Sequence, residues 1–332
     1  MIKTDILIIG AGPTGLFAVF EAGLLKLKCH LIDSLPMPGG QCAEIYPKKP
    51  IYDIPSHPEI LAGDLVKNLE KQIAPFQPTY TLGESAISLV KADDNNFLVT
   101  TNKGTQHLAP VVVIAGGLGT FEPRKPPIEG LENFEGKGVN YIIKDPEVYH
   151  NKKVIIAGGG DSALDWTIFL ENIAASVTLI HRRNEFRGAL DSVEKVQQLK
   201  NKGRIQLLTP AEVIALEGDD FLDSVIVNHL GDSKAIECES FIPLFGLTPK
   251  LGPIANWGLE IKKNAILVDN SLDYQTNANP NITAFGDSLK PGMRYIAVSR
   301  DLLDLGLVFL LFLFVLLSCL LPKNLLPIIL FY

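Results

Sequence analysis

Gly10, Gly12 and Gly15 fall in the spacing G-x-G-x-x-G between the apolar run IKTDILIIG and the helix-periodic stretch GAGPTGLFAVFEAGLL. Such a turn presents bare backbone N–H groups at a helix N-terminus, where hydrogen bonds and the helix dipole together hold a pyrophosphate. Asp33 ends the next apolar run, CHLID, 23 residues after Gly10, where a carboxylate can accept from ribose hydroxyls. The order recurs in KKVIIAGGGDSALDWTIFLENI and SVTLIHRR. Gly158, Gly159 and Gly160 make the second turn, Ala163 takes the last small position, and His181 follows Gly158 by the same 23 residues. In place of an acid, this copy carries His181, Arg182, Arg183 and then Arg187. An acid there repels a 2′-phosphate, whereas arginines bind it bidentately, so the second turn is expected to hold NADPH and the first FAD.

Two dinucleotide sites on one chain imply hydride transfer from a nicotinamide to a flavin. The flavin then supplies the difficult chemistry, and the protein has only to position two rings and tune them. No Ser-His-Asp set or metal site is therefore expected, and His57, His107, His150 and His229 read as surface or loop histidines. Cys29, Cys42, Cys238 and Cys319 form no C-x-x-C and no cluster at metal spacing. Thirty Lys and Arg against 37 Asp and Glu give a net charge of -7, which disfavours a broad grip on nucleic acid.

These residues must be carried by strand-turn-helix units, so the expected fold is α/β with two Rossmann-like dinucleotide-binding domains. A helix is expected from Ile60 to Ile73, a hairpin around Asp93 to Asn96, and a closing strand at VVVIAGG, Val111 to Gly117. The proline-rich FEPRKPPIEG reads as a linker, and strands are expected at Arg204 to Leu208, Ser224 to Leu230 and Glu239 to Pro243. Residues 1–117 and 242–301 are then a discontinuous FAD domain, 118–241 an NADPH domain, and 302–332 an atypical apolar tail. Met1 to Gly10 lacks a basic region before a cleavable apolar core, so a cytoplasmic first strand is expected there.

The motifs GAGPTG, PGGQCAEIYPKKPIYDIP, VIAGGLGTFEPRK, GGGDSALDW, HRRNEFR, LGPIANWGLEI and FGD occur in this order over about Met1 to Asp287. In this the chain resembles the thioredoxin-reductase-like ferredoxin/flavodoxin:NADP reductases. Thioredoxin reductases themselves carry a redox C-x-x-C just before the second glycine turn, whereas this chain has YIIKDPEVYHNKK. The resemblance implies FAD binding by Thr14, Asp33, Gln41, Tyr46, Ala86, Phe121 and Asp287, with Tyr46 stacked on the flavin ring. It adds Asp161 and Ser162 to the NADPH set through GGGDSA. It also implies a homodimer that passes single electrons to ferredoxin or flavodoxin, small acidic proteins for which Lys48, Lys49, Arg124 and Lys125 could form a basic face.

The resemblance stops after Asp287. Leu305 to Leu321 is a run of 17 residues without a charge, at the lower edge of the ~17–25 that span a bilayer. A membrane anchor, a buried helix or dimer surface, and an altered reading frame all fit this tail. With an anchor, a membrane-associated NADPH:quinone or diaphorase-type reductase is the alternative activity. With an altered frame, the alternative is an inactive flavin-binding remnant or redox sensor.

Overall fold

A computed structural model of the chain describes residues 1–92, 96–117, 119, 122–248, 250–262, 265–267, 275–276 and 279–284. They fall into two compact units, one lying within Met1–Phe121 and Pro249–Tyr332, the other spanning Glu122–Thr248.

The first unit begins with β1 (Ile2–Lys3), β2 (Ile6–Ile9), α1 (Pro13–Leu24), β3 (Cys29–Asp33) and α2 (Gly40–Glu44). It continues with β4 (Pro50–Ile51), β5 (Ile60–Leu61), α3 (Ala62–Ile73), β6 (Thr79–Leu82), β7 (Ala86–Lys91), β8 (Phe97–Thr101), β9 (Gln106–Ala109) and β10 (Val111–Ile114). The expected helix from Ile60 thus starts two residues later, because Ile60 and Leu61 pair with Pro50 and Ile51. The hairpin expected around Asp93 is seen as the antiparallel pair β7 and β8, with Asp93 to Asn95 outside the described residues.

The second unit holds β11 (Glu122–Pro123), β12 (Lys153–Ala157), α4 (Asp161–Leu170), β13 (Ser176–Ile180), α5 (Leu190–Asn201) and β14 (Gln206–Leu208). It ends with β15 (Ala211–Gly218), β16 (Leu222–His229), β17 (Asp232–Glu237), β18 (Ser240–Pro243) and β19 (Leu247–Thr248). Beyond Thr248 come β20 (Ile261–Lys262), β21 (Ala265–Ile266), β22 (Gln275–Thr276) and β23 (Asn279–Ala284) of the first unit.

The main sheet of the first unit has the order β22-β23-β10-β2-β3-β6, parallel throughout except for the β22-β23 pair. Its central strand, Ile-Leu-Ile-Ile, is buried on both faces, as a parallel strand covered on both sides must be. Ile6 and Ile8 pack with Leu16, Val19 and Val66 of α1 and α3, while Leu7 and Ile9 pack with Phe97, Val99 and Ala109 of the β1-β9-β8-β7 sheet. Each such aliphatic side chain contributes roughly 1.5–3 kcal/mol by burial. The second unit repeats the plan with a parallel sheet β14-β13-β12-β18. There Ile155, Ala157 and Phe241 pack against Val225 and Val227 of the antiparallel β15-β16-β17 sheet, and α4 lies against β12, β13 and α5.

His107, expected at the surface, is completely buried. It lies on β9, facing His30 of β3, with their rings 4.8 Å apart. Thr81 Oγ1 bridges the two, 2.8 Å from His30 Nε2 and 2.9 Å from His107 Nε2, and Thr79 Oγ1 meets His30 Nδ1 at 2.7 Å. These hydroxyls satisfy both nitrogens of His30, whereas His107 has a partner at Nε2 and its buried Nδ1 has none among the described residues. Burial, reinforced by His107, pulls the His30 pKa down to about 4; burial also lowers that of His107. Both rings are therefore neutral at pH 7.

Candidate nucleotide sites

Gly10 N donates to Ile32 O at 2.8 Å and Ala115 N donates to Ile9 O at 2.8 Å, so the turn after β2 is clamped between β3 and β10. A Cβ on Gly10, whose φ is +109°, would collide with the Ala115 carbonyl oxygen, and one on Gly15 with the Gly10 carbonyl oxygen. Those two glycines are required by the fold. Gly12 is different. Its backbone is extended (φ -72°, ψ 179°), and a Cβ there would meet only Gly40 Cα, at 3.8 Å. Among the described residues no atom crowds this N-cap, which leaves bare backbone at a helix N-terminus, the kind of end that admits a phosphate.

Around this opening, Asp33 Oδ2 accepts from Ala11 N at 2.7 Å and Oδ1 from Leu35 N at 2.9 Å. Burial raises the Asp33 pKa, and the backbone N–H groups of Leu35, Ala11 and Ser34 oppose that rise. The acid therefore braces the glycine turn itself. Gly39 N donates to Ala11 O at 2.8 Å, which brings α2 and Gln41 to the same end of the sheet, with Gln41 Nε2 3.6 Å from where a Cβ on Gly117 would stand. Thr14 is exposed on the first turn of α1. Tyr46 is half-buried, with Lys49 Nζ 5.8 Å from its ring centroid. The Ala86 side chain is buried in the core between the two sheets, so a ligand can reach that residue only through its backbone. Phe121 and Asp287 lie outside the described residues.

The second turn superposes its bonds on the first. Gly158 N donates to Ile180 O at 3.0 Å, and Leu244 N donates to Ala157 O at 2.8 Å. Gly160, the N-cap of α4, has φ -107° and ψ -179°, and an added Cβ would find nothing within 4 Å. Here too a glycine stands before open space at a helix N-terminus without a packing reason. Ser162 is exposed beside it and Ala163 is buried beneath it.

His181 sits where Asp33 stands in the first copy, but it turns inward and is 7% exposed. Its Nε2 lies 3.1 Å from Glu185 O, which can only accept, so Nε2 carries the proton. The ring stacks on Phe186 at 5.0 Å and lies so close to Gly159 that a Cβ there would collide with it. Burial lowers its pKa against the bond to Glu185 O, and Arg187, Arg182 and Arg183 lower it further. A neutral, inward imidazole is a floor for the turn and cannot serve a phosphate as Arg182, Arg183 and Arg187, all exposed, can. Spacing alone placed it among the basic ligands; its burial depends on Phe186 and Gly159, which spacing does not show.

Among the described residues no group of His, Cys, Asp and Glu could hold a metal ion. Cys29 and Cys238 are buried, with their thiol pKa values pushed up to about 12 by burial, and no described cysteine is in a disulfide. Among the lysines considered for a basic face, Lys125 is committed to Glu135 at 2.7 Å, and its Nζ lies 5.7 Å from the Tyr141 ring centroid. Lys48 and Arg124 are exposed. The apolar run 305–321 lies outside the described residues, and among those described no helix is long and apolar enough to cross a membrane.

A family model described as pyridine nucleotide-disulphide oxidoreductase matches residues 4–301. The chain is 68% identical over 290 residues to ferredoxin-NADP reductase 1 of Christiangramia forsetii, covering 86% of this chain and 82% of that one. It is 48% identical over 286 residues to a ferredoxin-NADP reductase of Rickettsia felis, covering 86% and 84%. Among solved structures it is similar in fold to the thioredoxin reductase of Lactococcus lactis, with TM-score 0.77, 23% identity, and coverage of 94% of this chain and 99% of that one. The thioredoxin reductase of T. acidophilum gives TM-score 0.78 at 22% identity, covering 90% and 94%.

Proposed function

The chain belongs to the pyridine nucleotide-disulphide oxidoreductase family, and from that premise we propose that it is a flavoprotein ferredoxin-NADP reductase using FAD and NADPH. Relatives up to 68% identical over most of the chain carry that name. The observation that carries the reading is the pair of like-built glycine turns, one followed by an acid and the other by an exposed arginine loop. The family name also covers disulfide chemistry, but the only half-exposed cysteine described is Cys42, with Cys29 and Cys238 buried. A dithiol exit for electrons therefore has no support, and a one-electron protein carrier does.

In this reading Gly10, Gly12 and Gly15 with the N-terminus of α1 take the FAD pyrophosphate, and Asp33 offers its remaining lone pairs to the ribose. Thr14, Gln41 and Tyr46 line the flavin side, joined by the Ala86 backbone, Phe121 and Asp287. Gly158, Gly160, Ser162 and Ala163 with the N-terminus of α4 take the NADPH pyrophosphate, while Arg182, Arg183 and Arg187 take its 2′-phosphate. FAD, when bound, accepts a hydride from NADPH and returns the electrons one at a time. On the first unit, Lys48 and Lys49 supply positive charge for an acidic acceptor of the ferredoxin type, with flavodoxin an alternative of the same charge.

The experiment is anaerobic addition of NADPH to the FAD-loaded protein, followed by ferredoxin and cytochrome c. Flavin bleaching and then cytochrome reduction that requires ferredoxin are expected. Bleaching without ferredoxin-dependent reduction would reject the acceptor, and no bleaching would reject the reductase.

A further inference from the structure

Asp161 is the first residue of α4, so it places a carboxylate at the helix end on which the NADPH pyrophosphate is expected to sit. A free acid there would repel the ligand. Its Oδ1 is instead turned onto the Ala189 N–H at 2.7 Å, and Ala189 lies just beyond the loop that carries the three arginines. Gly188, the residue before it, lies tight against α4. A Cβ on Gly188 would stand 2.5 Å from Leu164 Cδ1 and 3.0 Å from Asp161 Oδ1. One residue before Gly188, Arg187 N donates to Gly159 O at 2.7 Å. The arginine loop is thus tied to the glycine turn through its main chain at Arg187 and through the Asp161 side chain at Ala189, with the His181 ring packed beneath Gly159.

Resting on the NADPH reading above, we propose that Asp161 is a positioning residue for cofactor selection: through the Ala189 amide it holds the arginine loop at the reach the 2′-phosphate requires, and it does not itself bind the nucleotide. A loop already ordered before binding loses less conformational freedom when the phosphate arrives. Because only the 2′-phosphate meets the loop, losing the tie weakens ligands that carry that phosphate and spares those that lack it.

The test is calorimetric titration of the FAD-loaded protein with adenosine 2′,5′-bisphosphate and with 5′-AMP. Asp161→Ala is expected to weaken the bisphosphate about 5–10-fold while moving 5′-AMP by less than about two-fold. Asp161→Asn keeps an oxygen that accepts from Ala189 N–H, so it is expected to stay within about two-fold of the parent for both ligands. Ala189→Pro deletes the donor at a φ of -55°, which proline adopts, and should reproduce the loss; the double variant should be no weaker than either single one. In turnover, KM for NADPH should rise in Asp161→Ala with kcat unchanged. Asp161→Ala binding the bisphosphate like the parent would overturn the proposal, as would Asp161→Asn failing as badly as Asp161→Ala, or equal losses for both ligands. A parent that binds the bisphosphate no more tightly than 5′-AMP would instead reject the NADPH assignment itself.

Discussion

The two glycine turns are built from the same bonds and differ in what lies beneath the middle residue. Each parallel sheet has the same local order, β10-β2-β3-β6 in one unit and β18-β12-β13-β14 in the other. In the first turn Asp33 reaches Ala11 N, and its charge is spent on holding the turn closed. In the second, the flat His181 ring fills the space under Gly159, and the charge moves outward to Arg182, Arg183 and Arg187. One scaffold thus carries a half-buried acid in one copy and exposed cations in the other, according to which side chain follows the second strand. What differs between the copies is chemistry, and what they share is backbone.

The largest contrast lies in the last small position. Gly15→Ala drives a Cβ into the Gly10 carbonyl and is expected to cost about 3 kcal/mol. The reverse change, Ala163→Gly, removes one methyl group and is expected to cost about 1 kcal/mol or less. Urea unfolding of the two variants checks this, and equal costs would break the likeness between the turns.

The N-cap glycines sharpen the comparison from the ligand side. Gly160→Ala meets no atom within 4 Å and has an ordinary φ, so the gain in chain entropy and the loss of a better N-cap should leave stability within about 1 kcal/mol of the parent. NADPH binding, in contrast, should weaken roughly ten-fold or more, because the methyl group occupies the phosphate's approach. Gly12→Ala should act likewise on FAD retention and leave NADPH affinity alone. Thermal melting of the apo protein beside nucleotide titration separates the two effects.

Acid should tell the units apart by a smaller margin. His30, with its pKa lowered from 6.5 to about 4, favours the neutral state in the fold. Its contribution to stability is complete above pH about 6.5 and is lost as pH falls toward 4, by about 1–2 kcal/mol after allowance for partial solvation. The groups around the pair are His107, the Glu84 carboxylate and the N-terminal ammonium, all in the first unit. His30→Gln should flatten the dependence of urea unfolding on pH between 6.5 and 4; an unchanged slope would show that the buried imidazole pair is not its source.

Both strand-turn-helix units were legible in the sequence because glycine spacing and apolar runs are local signals, and Gly10 and Gly158 stand where those signals put them. The inward histidines were not legible. His107 Nε2 meets Thr81, 26 residues away, and His30 meets Thr79 and Thr81, 49 and 51 residues on. No local pattern marks such partners. Strand β17, Asp-Ser-Lys-Ala-Ile-Glu, shows no alternation because it is an exposed edge whose strand partner is β16 alone among the described residues. Asp161 reads as part of a nucleotide motif, and only the fold reveals that its carboxylate is already taken by Ala189.

The most direct measurement is the rate of anaerobic flavin bleaching by NADPH and by NADH, in the parent and in the Arg182→Ala/Arg183→Ala double variant. If the second turn selects NADPH through its arginine loop, the parent should strongly prefer NADPH. The double variant should then lose about 100-fold in kcat/KM for NADPH, with NADH rates and bound FAD unchanged. A parent that used both nucleotides equally, or a variant that kept its preference, would contradict the assignment.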